Sequence, residues 1–164
     1  MADFMGASNI QTAGTIKNKK MRNNIAVESV VGYDGLPVTL LTKMARWILK
    51  SEAQPHSWTI TFIFVDNHFI TELNERYLAR STPTDVISFN LSDSERAPEG
   101  EIYISFDMAR AQAACYHVSI ENELLRLAAH GVYHLLGYDD STTEERQIMT
   151  HFENKALEYV YSTF

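Results

Sequence analysis

Among 164 residues there is one cysteine, and there are only four prolines and seven glycines. A lone Cys115 excludes a disulfide framework within the chain and any zinc site built from several cysteines. No internal repeat or low-complexity block is present, and no apolar run approaches the roughly 20 residues that cross a bilayer. The first 24 residues, MADFMGASNIQTAGTIKNKKMRNN, lack the apolar middle of a secretory signal. The expectation is therefore a cytoplasmic protein with a flexible leader over 1–24, in which Met21 is an alternative start, followed by a single domain over 25–164. Positive charge is also scarce: 14 Lys/Arg stand against 21 Asp/Glu, a net charge of −7. Such a balance argues against holding nucleic acid by bulk attraction. The deficit is uneven, since residues 1–50 carry seven Lys/Arg against three Asp/Glu and the remainder seven against eighteen. A nucleic-acid partner would have to be met by a local basic surface or by a metal.

What is present has the patterning of an α/β (α+β) domain. Residues 25–32 (IAVESVVG) and 58–65 (WTITFIFV) read as strands, rich in β-branched and aromatic residues. Shorter strands are expected at 85–90 and 101–106, separated by the polar loop SDSERAPEG. Leu40, Leu41, Met44, Ile48 and Leu49 recur at helical spacing over 38–51. Asp66 or Asn67 is positioned to cap a helix through Leu78 whose buried stripe is Phe69, Ile70, Leu73 and Tyr77. Asp107 is expected to cap a short helix carrying Cys115 as buried packing, and Ser119 a longer one to about Leu136. The run Ser141–Glu145 offers overlapping capping boxes for a last helix with the apolar face Ile148, Met149, Phe152, Ala156, Leu157 and Val160. Together these elements predict about four strands in a mixed sheet, packed with helices.

The chemistry is concentrated in HGVYHLLGYDD, residues 130–140. His130 and His134 are four apart, so on a helix both imidazoles project from one face. Gly137 suits the left-handed turn that ends a helix and returns the chain, bringing Asp140 to the same point. Two histidines, an acid and an open position form the pattern of a catalytic zinc site. The same residues also suit a plain helix end, where a histidine is satisfied by backbone and dipole, and both readings fit the spacing. Metalloproteases place a general-base Glu directly after the first histidine. Gly131 stands there, so a peptidase of the usual kind is excluded. His56, His68, His117 and His151 match no metal spacing.

Taken together, these residues resemble the YbeY-type rRNA maturation endoribonucleases, whose signature is H-G-x-x-H-L-x-G-Y-D-H. Leu73–Asn74 and Tyr77, then Pro83–Thr84–Asp85–Val86–Ile87–Ser88–Phe89, match a second family block. Gly100–Glu101–Ile102 and Met149 match further positions, so the resemblance spans roughly 25–160. It implies a zincin-like metal helix carrying one Zn2+ on His130, His134 and Asp140. It also implies a single-strand-specific endoribonuclease acting in 16S rRNA 3′-end maturation and ribosome quality control. Its partners would be rRNA and the small ribosomal subunit, not DNA or a membrane. The alternatives are a ribosome-assembly factor with a structural metal, or a zinc hydrolase of another phosphoester.

Two departures stand out. Asp140 replaces the family's third histidine, which adds negative charge and shifts preference towards harder ions, and Asp139 beside it is a further candidate. Leu78 replaces an arginine, a role for which Arg80 is the first candidate and Arg76 and Arg110 the next, the other reading of each being a solvated surface charge. The block also marks Asp85 and Ser88 as site residues, with Asp85 read either as holding a motif histidine by its second nitrogen or as a turn residue at the strand entry.

Overall fold

The computed structural model describes residues 22–163, so most of the expected leader, Met21 included, lies outside the described residues. Four strands form one mixed sheet in the order β1-β2-β4-β3: β1 (Asn24–Ser29), β2 (Thr59–Val65), β3 (Val86–Asn90) and β4 (Glu99–Ser105). β1 and β4 run parallel to β2, and β3 is antiparallel to β4 at the opposite edge from β1. Five helices complete the described residues: α1 (Val38–Ser51), α2 (Asn67–Leu78), α3 (Phe106–Tyr116), α4 (Ile120–Leu135) and α5 (Thr143–Ser162).

Alternation along the strands sorts side chains to two faces. Ile60, Phe62 and Phe64 of β2, with Ile102 and Ile104 of β4, enter the main core beneath α1, α4 and α5. Ile63, Val65 and Ile87 face the other way and pack under Phe69, Ile70 and Leu73 of α2. α4 runs through the middle of the main layer, burying Leu124, Leu125, Ala128, Ala129, Val132 and Tyr133.

Local chemistry explains most element ends. Asp66 accepts the Phe69 N–H, Ser119 accepts the Asn122 N–H, and Thr142 with Glu145 forms a complete capping box. Five expectations need correction. The first strand stops at Ser29 instead of 32, because its partner β2 ends at Val65. The cap of α3 is Ser105, which accepts the Met108 N–H, while the Asp107 carboxylate accepts the Asn67 N–H at 2.9 Å and ties α3 to α2. Tyr77 and Ile148 were expected in apolar stripes but are 58% and 48% exposed. Tyr77 lies in the last turn of α2, where it meets the edge of the Phe89 ring, and Ile148 turns outward beside the buried Met149. Cys115 is likewise exposed, because α3 buries Ala109 and Ala113 on its opposite side.

The tightest packing of α4 on the sheet is at Gly131. A Cβ there would stand 2.4 Å from Ile102 Cγ2 and 3.1 Å from Ser88 Oγ. Position 131 thus faces the sheet, with no room for the protease glutamate, and its carbonyl accepts the Ser88 hydroxyl at 3.0 Å. Gly131→Ala forces Ile102 or the helix to move, an overpacking that costs about 1–3 kcal/mol. The expected result is a melting temperature lower by roughly 2–12 °C, at about 2–4 °C per kcal/mol for a chain of this size. Thermal and urea unfolding against wild type measure it.

Candidate metal centre

The last two turns of α4 and the loop after it carry the site. His130 and His134 project side by side, ring centroids 4.5 Å apart. Gly137 takes φ +97° and turns the chain back, as its lack of a Cβ permits. The turn brings Asp140 Oδ2 to 3.3 Å from His130 Nε2 and 3.7 Å from His134 Nε2, with the two Nε2 atoms 2.8 Å apart. In a tetrahedral site with bonds of about 2.0–2.2 Å, neighbouring ligand atoms are about 3.3–3.6 Å apart. The two distances to Asp140 lie close to that spacing and the two Nε2 atoms stand about 0.5 Å nearer than it, and among the described residues no other group of His, Cys, Asp and Glu converges in this way.

The other nitrogen of each ring is already engaged. His134 Nδ1 lies 2.9 Å from the Tyr138 carbonyl, which can only accept, so Nδ1 carries the proton. His130 Nδ1 lies 2.7 Å from Glu153 Oε1. With both Nδ1 atoms donating, the neutral rings turn two Nε2 lone pairs towards each other and towards a carboxylate. Three electron-pair donors facing one point repel unless a proton or a cation lies between them. The donor set, two imidazoles and one carboxylate, fits a divalent transition ion such as zinc.

Glu153 is the residue that sequence reasoning missed. It is 7% exposed on α5, where it also meets Arg126 Nη1 at 3.3 Å. Its signal was a charge inside the apolar stripe of Met149, Phe152, Ala156 and Leu157. Burial pulls the His130 ring down, but the Glu153 hydrogen bond and charge, with Asp140 and Asp85, outweigh it and raise its pKa above the ordinary histidine value. A more basic ring is a stronger ligand. Glu123, also buried on α4, has one carboxylate oxygen without a partner. Burial first, then Asp85 and Glu153, push its pKa up, against the opposing Arg126.

All six expected site residues line one cleft of about 790 Å³ between β3, the loop before it and the end of α4. Their contacts differ from expectation in one respect. Asp85 does not hold a motif histidine: it accepts the Val86 N–H at 2.9 Å and Gln112 Nε2 at 3.1 Å, while Glu153 and the Tyr138 carbonyl take the rings. The side chain at the start of β3 is drawn to α3, and α5 covers the outer side of His130. Arg80 lines the cleft and is its only Lys or Arg among the described residues, whereas Arg110 stacks over Phe106 and Arg76 does not line it. Leu78 also lines the cleft, half exposed. Asp139 braces the turn, accepting the Asp140 N–H at 2.7 Å and the Ser141 hydroxyl at 3.0 Å. Those hydrogen bonds, the Asp140 N–H first, hold its carboxyl below the usual range.

A family model described as endoribonuclease YbeY matches residues 35–161. An endoribonuclease YbeY of Pelotomaculum thermopropionicum is 37% identical, covering 80% of this chain and 91% of its own length. Those of Desulforamulus reducens and Chloroherpeton thalassium are 39% and 38% identical, covering 73% and 74% of this chain and 83% and 85% of their own. A Thermotoga maritima protein solved in solution aligns with TM-score 0.57 at 26% identity, covering 84% of this chain and 89% of that one.

Glu153→Gln should weaken zinc binding about 10–100-fold, the usual effect of losing a carboxylate behind a ligating histidine. Asp85→Asn should leave zinc affinity close to wild type. Competition with a chromophoric chelator separates the two variants, and equal losses would contradict the assignment of Glu153.

Proposed function

Because the chain belongs to the endoribonuclease YbeY family, we propose that it is a zinc-dependent, single-strand-specific endoribonuclease of 16S rRNA 3′-end maturation and ribosome quality control. The reading carries with it a cytoplasmic setting and the small ribosomal subunit as partner. The observation that supports it most is the convergence of His130, His134 and Asp140 in an open cleft, with both Nδ1 atoms already engaged.

A bound divalent ion supplies a Lewis acid for a phosphoryl oxygen. The protein's own residues supply the rest. His130 and His134 are 20% and 29% exposed at their side chains, so the two rings are recessed, with Asp140 at 40% nearer the rim. A flexible single strand can lower one phosphate into such a cleft, while an A-form duplex is stiff and is read by its shape. Arg80 is the cation available to meet a phosphate oxygen and the charge that develops on it. Asp85 is held in place by Gln112 and the Val86 N–H, and Ser88 ties β3 to α4 so that the two walls of the cleft keep their spacing.

A second reading has its own observation. Leu78 occupies a cleft position where the family resemblance leads one to expect an arginine, which favours a ribosome-assembly factor whose metal is structural.

A zinc-loaded preparation acting on labelled unstructured RNA tests the choice. His134→Ala should reduce cleavage at least 10²-fold, and Arg80→Ala should lower kcat about 10²–10³-fold, on the scale of losing one charge-stabilising group. Full activity in His134→Ala would end the nuclease reading. RNA binding that persists without any cleavage by wild type would favour the assembly factor. The ends report the nucleophile: a 5′-phosphate with a 3′-hydroxyl means water, and a cyclic phosphate means the 2′-hydroxyl.

A further inference from the structure

A chain of net charge −7 with one arginine in its cleft must still approach a polyanion. The charge needed is found on another face. Two adjoining grooves, of about 820 and 750 Å³, share Arg46 and Lys50 on the outer side of α1. Lys43 lines the first and Arg22 the second, and neither lining contains an Asp or Glu. Arg22, Arg46 and Lys50 form no ion pair among the described residues, in contrast to Arg126 on Glu153. Glu52, the nearest acid in sequence, accepts the Tyr138 hydroxyl at 2.6 Å. A merely solvated helix face commonly mixes signs to form i,i+4 pairs. Here positions 43, 46 and 50 repeat one sign along about 10 Å of helix. The sequence continues the same sign with Lys17, Lys19 and Lys20 just before Arg22.

Aromatic surface accompanies the charge. Trp47 and Tyr159 stack at 4.9 Å in the first groove, and Lys43 reaches over the Tyr159 ring at 5.5 Å while donating to the Thr163 carbonyl at 3.1 Å. Basic side chains beside stacked rings are the recurring equipment for single-stranded nucleic acid. The face is also separate from the metal cleft. α1 packs on α4, α5 and β1, and neither groove on its outer side shares a lining residue with the cleft.

We infer that the outer face of α1, formed by Arg22, Lys43, Arg46 and Lys50 beside the Trp47–Tyr159 stack, binds the sugar–phosphate backbone of RNA away from the metal centre. The inference rests on the nuclease reading for the identity of its ligand, and on this face alone for its position. A strand of a few nucleotides fills the cleft only, and a longer one reaches both surfaces.

The test uses the zinc-loaded full chain and the double variant Arg46→Gln/Lys50→Gln, whose positions are exposed on a helix. Fluorescence anisotropy follows an oligouridine of about 30 nucleotides over a range of salt. Loss of two phosphate contacts should weaken binding roughly tenfold or more at low salt and flatten the slope of log K against log salt by about 1.4, at about 0.7 per contact. Cleavage of an oligomer of about five nucleotides, which only spans the cleft, should be unchanged. Unchanged affinity and slope on the long strand would overturn the inference while leaving cleavage by wild type, and hence the nuclease reading, intact. Weakened long-strand binding in the double variant, together with a wild type that cleaves nothing, would sustain this face and defeat the nuclease reading. Poly-glutamate binding that is lost in the double variant, with RNA binding unaltered, would also overturn the inference, assigning the face to an acidic protein.

Discussion

The approach of α4 to the sheet at Gly131 sets the geometry on which everything functional depends. With no side chain at that position, the helix backbone comes within reach of Ser88 Oγ and packs directly on Ile102. Helix and strand are thereby held as the two walls of one cleft, His130 and His134 on the first and the Asp85–Asn90 segment on the second. A side chain at 131 would push the walls apart and lift the histidines away from β3. The same contact explains why this fold has no place for a protease glutamate: the position next to the first histidine is filled by the sheet. Whatever chemistry the cleft performs must therefore draw on other walls.

Those walls are built so that the ligands are oriented before any ion arrives. Glu153 on α5 and the Tyr138 carbonyl each take one Nδ1, which turns the two Nε2 atoms inward and removes rotational freedom that binding would otherwise have to overcome. The returning loop is anchored at several points. Tyr138 reaches Glu52 at the end of α1, Asp139 holds the Asp140 N–H and Ser141, and Arg146 of α5 donates to the Asp140 and Ser141 carbonyls at 3.3 and 3.0 Å. Asp140 is consequently presented by a braced turn, a geometry suited to a carboxylate standing in for a third imidazole. With an ion bound, its negative charge would offset part of the ion's own, and the site would acidify a ligand less than three neutral rings would.

Charge is divided across the molecule in a way that suits a polyanionic substrate. An overall excess of acid limits indiscriminate association. The cleft carries one arginine, enough to engage a phosphate but not to hold a long strand, and the basic charge of the amino-terminal third gathers on the outer side of α1, in grooves that share no lining residue with the cleft. Gripping and reacting are thus separable tasks, performed by different elements of a small domain.

How much of this could be read in advance follows from distance along the chain. His130, His134, Gly137 and Asp140 fall within eleven residues, so helix periodicity and one glycine turn determine their convergence before any tertiary contact forms. The caps at Asp66, Ser119 and Thr142, the four strands and the main apolar stripes are similarly local, being set by side chains bonding backbone three residues away or by alternation along a strand. The partner of His130 was not legible, because Glu153 lies 23 residues downstream on a helix whose rotation against α4 is a packing result. Nor was the attachment of Asp85 to Gln112, 27 residues away, or the cap at Ser105 in place of Asp107. The exposure of Tyr77, Cys115 and Ile148 belongs to the same class. Periodicity tells which side of a helix a residue is on, but only the positions of the neighbouring elements decide how far round that side the cover extends.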